Sequence, residues 1–350
     1  MSAAAVVEDL VVPVADVREG DVDAMLRGFD AAFASGPADL GLVPDIECAL
    51  DTGGHAPICG PMYRVNPVRA RIITAQVAMW WLAGVVKPAQ SAWRSPAVLV
   101  NKKTPDGTRP EPTPFTAAVQ QADRDRWCRV RAMAALPVAE RDPAQLDSLL
   151  RELADVVKGH RLCINFRSLN SVLVGDAEPI HTAEERLWHV GPGTRFITTF
   201  DVQSAYLNIP MRPEDIPKTA FGTSHGLFAF TRMPFGLANA PAVMHRAVAR
   251  VVEGTGAVGY FDDILAASAS WPAHVRLVRR VLRNVIATGF KLNRAKCAFA
   301  RPEAVWVDRH ISADGLRKSP DKLDEVRDFP VPTCTKELMA FLGLAGYYRS

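Results

Sequence analysis

No CxxC pair occurs in this chain. Its six cysteines (Cys48, Cys59, Cys128, Cys163, Cys297 and Cys334) are scattered, which argues against a zinc site or a disulfide framework and predicts reduced thiols in an intracellular protein. The N-terminus, MSAAAVVEDLVVPV, lacks a basic n-region and carries Glu8 and Asp9 inside its apolar run, so it does not read as a signal peptide. The apolar stretch VAMWWLAGVV, residues 77–86, is too short to span a bilayer, and no membrane association is expected. No internal repeat occurs, and no low-complexity tract beyond a bias towards alanine. A large excess of charge of one sign is also lacking: the formal net charge is +3, which permits nucleic-acid binding without demanding it. Nothing separates cytoplasmic from nuclear residence, and the oligomeric state is left open.

What is present reads as globular. Hydrophobic residues make up 48% and charged residues 23% of the 350, enough for two or three compact units. Residues 1–50 are rich in Ala and Asp and read as a leader or linker. A helix is expected from Asn66, its cap, through Pro67 in the first turn to Gly84 near the end. SPAVLVNKK (95–103) reads as a strand, and residues 104 to about 125, rich in Pro, Thr and charge, as a loop. In DPAQLDSLLRELADVVKGH the apolar positions 146, 149, 150, 153, 156 and 157 have helical spacing, with Asp142 as cap, Pro143 first and Gly159 as stop. Beyond Arg161 short strands and helices alternate. TRFITTFDVQSAYLNIPM reads as strand, turn and short helix, and GLFAFTRMPFGLANAPAVMHRAVARVV as strand, glycine loop and helix. GAVGYFDDILAAS reads as two strands around a tight turn, and HVRLVRRVLRNVIATGFKLN as an amphipathic helix stopped by Gly289.

The chemistry is concentrated in carboxylates. Asp201 ends one apolar strand, and Asp262 and Asp263 sit at the turn of an apolar hairpin. If the strands are neighbours, three carboxylates meet at one sheet edge, a cluster that divalent cations would stabilise. Such an oxygen-rich set suits Mg²⁺ or Mn²⁺ with phosphate oxygens completing the shell. Two such ions, roughly 3.5–4 Å apart, serve in-line phosphoryl displacement. Three unrelated surface aspartates are the alternative that the carboxylates alone leave open.

A longer series of motifs bears on that choice. SPAVLVNKK, RLCINFRSLN, FDVQSAYLNIPM, KTAFGTSHGLFAFTRMPFGLANAP, YFDD, LNRAKCAF, ISADGL, SPDKL and FLGLAGYYRS follow one another in order. From about Asp51 to Arg349 the chain resembles the reverse transcriptase of gypsy-type LTR retrotransposons, kin of retroviral polymerases. The resemblance implies an α+β right-hand polymerase fold with fingers and palm subdomains and a truncated thumb. It places fingers at 51–174 with an insertion at 104–160, palm at 175–208, fingers at 209–238, palm at 239–314 and the start of a thumb or connection at 315–350.

The implied reaction is addition of deoxynucleoside triphosphates to a primer 3′-OH on an RNA or DNA template, with two Mg²⁺ (or Mn²⁺) ions. Asp201, Asp262 and Asp263 would be the catalytic and metal-binding residues. Lys102 (or its neighbour Lys103) and Arg161 would hold the triphosphate, and Tyr206 would exclude a 2′-hydroxyl, although it also fits as a core residue. Phe235 and Gly236 would lie beneath the base. Lys296 would stand near the departing pyrophosphate as a proton donor.

Four departures qualify the resemblance. Asn165 and Phe166 replace the Asp and Tyr of the family's V-D-Y-R, and residues 104–160 occupy what is elsewhere a short hairpin tip. Asp308 stands in place of a glycine in VWVDRHIS, and the sequence stops at Ser350, just inside the thumb. They motivate the alternative of a degenerate element relic that keeps the fold and weak nucleic-acid binding without polymerase activity. A rival motif, Asp51-Thr52-Gly53, matches the signature of retroviral-type aspartic proteases, but no second signature or flap sequence accompanies it.

Overall fold

The computed structural model describes residues 19–36, 38–102, 116–180, 182–188, 190, 193–307, 309–318 and 327–347. Lys103 and Asp308, the SPDKL motif (319–323) and the first part of the expected insertion lie outside the described residues.

The described residues open with helix α1 (Glu19–Leu26) and a 3-10 turn (Asp30–Ala32). Helix α2 (Pro67–Leu82) begins where the Asn66 side chain accepts a hydrogen bond from the Arg69 N–H. Pro67 costs nothing there, because a first-turn N–H has no partner within a helix. Strands β1 (Val86–Pro88) and β2 (Ala97–Asn101) follow, then helices α3 (Ala117–Ala135) and α4 (Pro143–Val157), the latter capped by Asp142. After β3 (His160–Ile164) come two short helices, α5 (Arg167–Asn170) and α6 (Ala183–Leu187), and then β4 (Phe196–Asp201). A 3-10 turn (Ala205–Asn208) leads to β5 (Phe221–Thr223), β6 (Gly226–Phe230) and α7 (Ala240–Val252). Strands β7 (Val258–Tyr260) and β8 (Asp263–Ser268) and helix α8 (Trp271–Thr288) complete the centre. The described chain ends with β9 (Ala298–Arg301), β10 (Ala304–Trp306), β11 (Arg309–Ser312), β12 (Gly315–Lys318) and α9 (Thr335–Tyr347).

The sheet that matters for function is antiparallel, in the order β7-β8-β4-β9. Its buried face is covered by α7 and α8, whose apolar stripes bury Val243, Ala247 and Val251 on one and Val278, Val281 and Val285 on the other. A second sheet, β1-β6-β5, and the hairpin β2-β3 pack around α2, and β10-β11-β12 forms a small separate sheet. One hydrophobic cluster runs through most of these elements, and a smaller one gathers Leu187, Ile197, Leu265, Trp306 and Ile311.

Two expectations are corrected. Residues 19–50 are not a linker: Met25, Leu26, Phe29, Phe33, Val43, Cys48 and Leu50 are buried in the main core. Phe33 and Cys48 make bridges to Leu292 and Met211. Their spacing follows no single period because they fill gaps across several elements. Residues 117–125, expected as loop, belong to α3. That helix buries only Val130 and Met133, so it carries little amphipathic signal.

The described part of the insertion folds back on α2. Arg71 pairs with Asp123 at 3.0 Å, and Arg141 donates to the Leu82 carbonyl at 2.8 Å. The Trp127 ring stacks on His225 with centroids 4.2 Å apart. Leu149 and Leu153 of α4 enter the main core at 2% exposure each, each contributing about 1.5–3 kcal/mol of apolar burial. Exposed pairs such as Arg129–Glu152 add little beside that.

His274 joins α8 to β4 and β8. It is fully buried, with Nε2 2.8 Å from the Thr198 hydroxyl and Nδ1 3.0 Å from that of Ser268. Burial pushes its pKa down to about 4. The unfolded chain therefore binds a proton near pH 6.5 that the folded chain refuses until about pH 4. Stability falls as pH drops through that window, by about 2 kcal/mol between pH 7 and pH 5. Urea unfolding at the two pH values measures the difference, and His274→Gln should remove that share of it. An unchanged difference in the variant would refute this account.

Candidate active site

Strand β4 reads FITTFD, and five of its six residues are fixed by their neighbours before Asp201 emerges at the end. The register with β8 is continuous from Phe196 opposite Ser268 to Asp201 opposite Asp263. Tyr260 of β7 also pairs with Asp263, so Phe261 and Asp262 form the two-residue connection of the β7-β8 hairpin. Phe261 adopts φ +52°, a left-handed conformation rare for a bulky residue and the kind of strain that collects at functional turns. Its ring is 4.6 Å from that of Tyr260.

The segment after α8 supports Asp201 from the other side. The Asp201 N–H donates to Cys297 Sγ at 3.4 Å, and its carbonyl accepts from the Asn293 N–H at 2.9 Å. Lys296 Nζ stands 3.5 Å from the Asp201 carboxylate. Partial burial raises the Asp201 carboxyl above its ordinary range; Lys296 opposes the rise and Asp262 adds to it. Asp263 keeps an exposed face but is more crowded. Desolvation first, then the charges of Asp262 and Asp201, push its carboxyl up to about 6 against the pull of Lys296. Burial keeps the Cys297 thiol protonated, at about 11. Negative charge is thus concentrated at this sheet edge, with the Lys296 ammonium group to offset it among the described residues.

Tyr206 sits in the 3-10 turn that follows Asp201, half-buried, with its ring 4.7 Å from that of Phe235. Burial and the nearby Asp262 charge both raise its hydroxyl pKa. Phe235 is 59% exposed, and Gly236 takes φ +93° beside the Ile164 carbonyl and the Phe166 ring. Asn170 fixes that loop, donating to the Gly236 carbonyl at 2.8 Å and accepting from the Ala238 N–H at 3.0 Å. Lys102 and Arg161 are exposed on the β2-β3 hairpin, where Arg161 is paired with Val100. Neither forms an ion pair with the three aspartates.

The fold thus brings together Asp201, Asp262, Asp263, Lys296, Tyr206 and Phe235, and joins Gly236 to them through its loop. Sequence reasoning did not single out Asn170, Asn293 or Cys297. The first two lie within FRSLN and LNRAKCAF, where an Asn directly after a Leu was the available signal. Asp51 closes a local turn by accepting from the Gly53 N–H at 2.8 Å, and no second carboxylate is paired with it among the described residues. The protease motif is a turn here.

Residues 148–345 match the family model described as reverse transcriptase (RNA-dependent DNA polymerase). The chain belongs to the reverse transcriptase family.

Among similar proteins is the retrovirus-related Pol polyprotein from transposon 297 of Drosophila melanogaster. It is 35% identical over 193 residues, covering 54% of this chain and 18% of that protein. The corresponding polyprotein from transposon gypsy is 33% identical over 192 residues, 54% of this chain and 18% of its own length. The chain therefore spans about a fifth of the curated relatives it matches. Among solved structures, the foamy viral protease-reverse transcriptase in complex with RNA/DNA hybrid has a TM-score of 0.70 at 17% identity, over 95% of this chain and 38% of that one. The same protein in complex with dsDNA has a TM-score of 0.70 at 18% identity, over 97% and 63%. These likenesses establish the right-hand polymerase fold for this reverse transcriptase-family chain. No described helix is long and apolar enough to cross a membrane.

Proposed function

We propose that this chain adds deoxynucleotides to a primer 3′-OH on an RNA or DNA template, releasing pyrophosphate. The observation that supports this best is the register that sets Asp201 opposite Asp263 with Asp262 in the adjoining turn. Among the described residues no group of three or more His, Cys, Asp or Glu side chains is arranged to hold a metal ion. The donor set nevertheless fits a hard cation. Mg²⁺ is ordinarily held by one or two carboxylates together with substrate phosphates, and crowded negative charge at Asp263 favours a cation there. Asp201 and Asp262 would hold Mg²⁺ (or Mn²⁺), two ions in this reading, with Asp263 completing the acidic cluster. When bound, such ions polarise phosphate oxygens and favour the ionised form of an attacking hydroxyl.

The remaining roles belong to the chain's own side chains. Tyr206, braced against Phe235, would block the space of a ribose 2′-hydroxyl, while Phe235 and Gly236 would line the floor under the base. Lys102 and Arg161, on one hairpin, would engage the triphosphate as charge-assisted donors. Lys296 offsets the Asp201 carboxylate and would be within reach to protonate the departing pyrophosphate. Template and primer would be held mainly by backbone and duplex shape; the foamy viral neighbours in complex with RNA/DNA hybrid and dsDNA are consistent with this. The β7-β8-β4-β9 sheet with α7 and α8 would be the palm, and α2, the β2-β3 hairpin and the β1-β6-β5 sheet the fingers.

The test is extension of a labelled primer on an RNA template. Product should require Mg²⁺, disappear with EDTA and return when Mg²⁺ is restored in excess. Steeply salt-dependent binding of the template without any extension would overturn the polymerase reading and leave the relic alternative.

A further inference from the structure

Between Asp201 and Tyr206 the chain makes a sharp turn, anchored at its start where the Gln203 N–H donates to the Lys291 carbonyl at 2.8 Å. Ser204 has φ +48° without being glycine. Around the Ala205–Asn208 turn the Leu207 N–H donates to the Ser204 carbonyl at 2.8 Å and the Ile209 N–H to the Tyr206 carbonyl at 3.3 Å. Inside this turn lies Asn208, which is fully buried. Its Nδ2 is 2.8 Å from the Gln203 carbonyl, 3.2 Å from that of Ser204 and 3.1 Å from that of Ala205. Three acceptors around one atom identify it as the amide nitrogen and not the oxygen.

The backbone of Asn208 is held from outside the turn. Its carbonyl accepts from the Val43 N–H at 2.9 Å, and Arg232 Nη1 donates to the Gly41 carbonyl at 3.1 Å. Gly41 is so close that a Cβ there would collide with Asn208 Oδ1 and the Gly289 carbonyl. The segment around Gly41, the turn and the end of α8 therefore form one packed unit around a single amide.

We propose that Asn208 is a positioning residue: it fixes the turn between Asp201 and Tyr206 and thereby the discrimination between deoxy- and ribonucleotides, a role that rests on the polymerase reading above. Asn208 touches no substrate. It acts by setting where the Tyr206 ring stands relative to Phe235. The side chain must supply two hydrogens at short reach. Aspartate would face three carbonyl oxygens with a like charge, and serine supplies a single donor.

Asn208→Ser tests this with two readouts. Hydrogen exchange of the 203–209 peptide should be about tenfold faster than in the wild type, the size expected for losing one buried hydrogen bond, with α4 peptides unchanged. In primer extension, the ratio of kcat/KM for a deoxynucleotide to that for the matching ribonucleotide should fall about tenfold. Should Asn208→Ser fail to fold, Asn208→Gln, which displaces the amide by one methylene, carries the same comparison. Unchanged exchange overturns the positioning role, and so does a loosened turn with an unchanged ratio. A wild-type chain that extends no primer refutes the polymerase reading alone, and the exchange comparison still decides whether Asn208 holds the turn.

Discussion

Asp262→Asn is expected to lower Mg²⁺-dependent primer extension by on the order of 10³-fold or more, because it removes charge stabilisation at the reacting phosphate. The same substitution should leave the melting temperature unchanged or slightly raised. Asp262 is solvent-exposed in the hairpin connection, and its charge is one of those pushing the Asp263 carboxyl up to about 6. It also raises the Tyr206 hydroxyl pKa. Removing it relieves repulsion within the folded chain and breaks no hydrogen bond described in the structure. Loss of activity with retained or increased stability is the signature of a site kept for chemistry against its own electrostatics. Extension by the variant at the wild-type rate would refute the assignment of Asp262.

The second large effect is on stability. Gly289→Ala should destabilise the fold by about 2–4 kcal/mol, read from urea unfolding. Gly289 ends α8 at φ +82°, and a Cβ there would collide with the Leu42 carbonyl. The Leu42 N–H also donates to the Gly289 carbonyl at 2.9 Å. Two costs therefore add: a left-handed conformation for a non-glycine residue and a backbone clash that flexible side chains cannot absorb. Gly256→Ala separates them. Gly256 has φ +87°, but a Cβ added there would meet nothing within 4 Å, so the substitution should carry the conformational cost alone, about 1 kcal/mol. Equal losses at the two positions would mean that residues 41–43 are not held against α8.

Much of this was legible because some signals are local. Asn66 and Asp142 cap α2 and α4 with their own side chains, and Gly289 stops α8; capping chemistry depends on residues within one turn. The motifs around Asp201 and Asp262-Asp263 likewise placed each carboxylate at the end of an apolar run, where a strand must expose it. Helix α3 escaped because its charges are met by partners elsewhere, Arg71 for Asp123 and Glu152 for Arg129, and its two buried residues make no stripe. The core role of residues 19–50 escaped for a similar reason, since Phe33 and Cys48 are fixed by partners some 160 to 260 positions away in the chain.

By itself the sequence determined the family likeness and the elements that carry a strong local signal, such as α2, α4, α8 and the strands around the aspartates, together with their caps and turns and the residue types that could carry the chemistry. Only the tertiary structure decided that Asp201 faces Asp263, that Lys296 is the cation beside them, that Tyr206 rests on Phe235, and that Asn208 and the segment around Gly41 hold the turn between. These are contacts between residues distant in the chain, set by strand register and close packing, and no local preference of either partner encodes them.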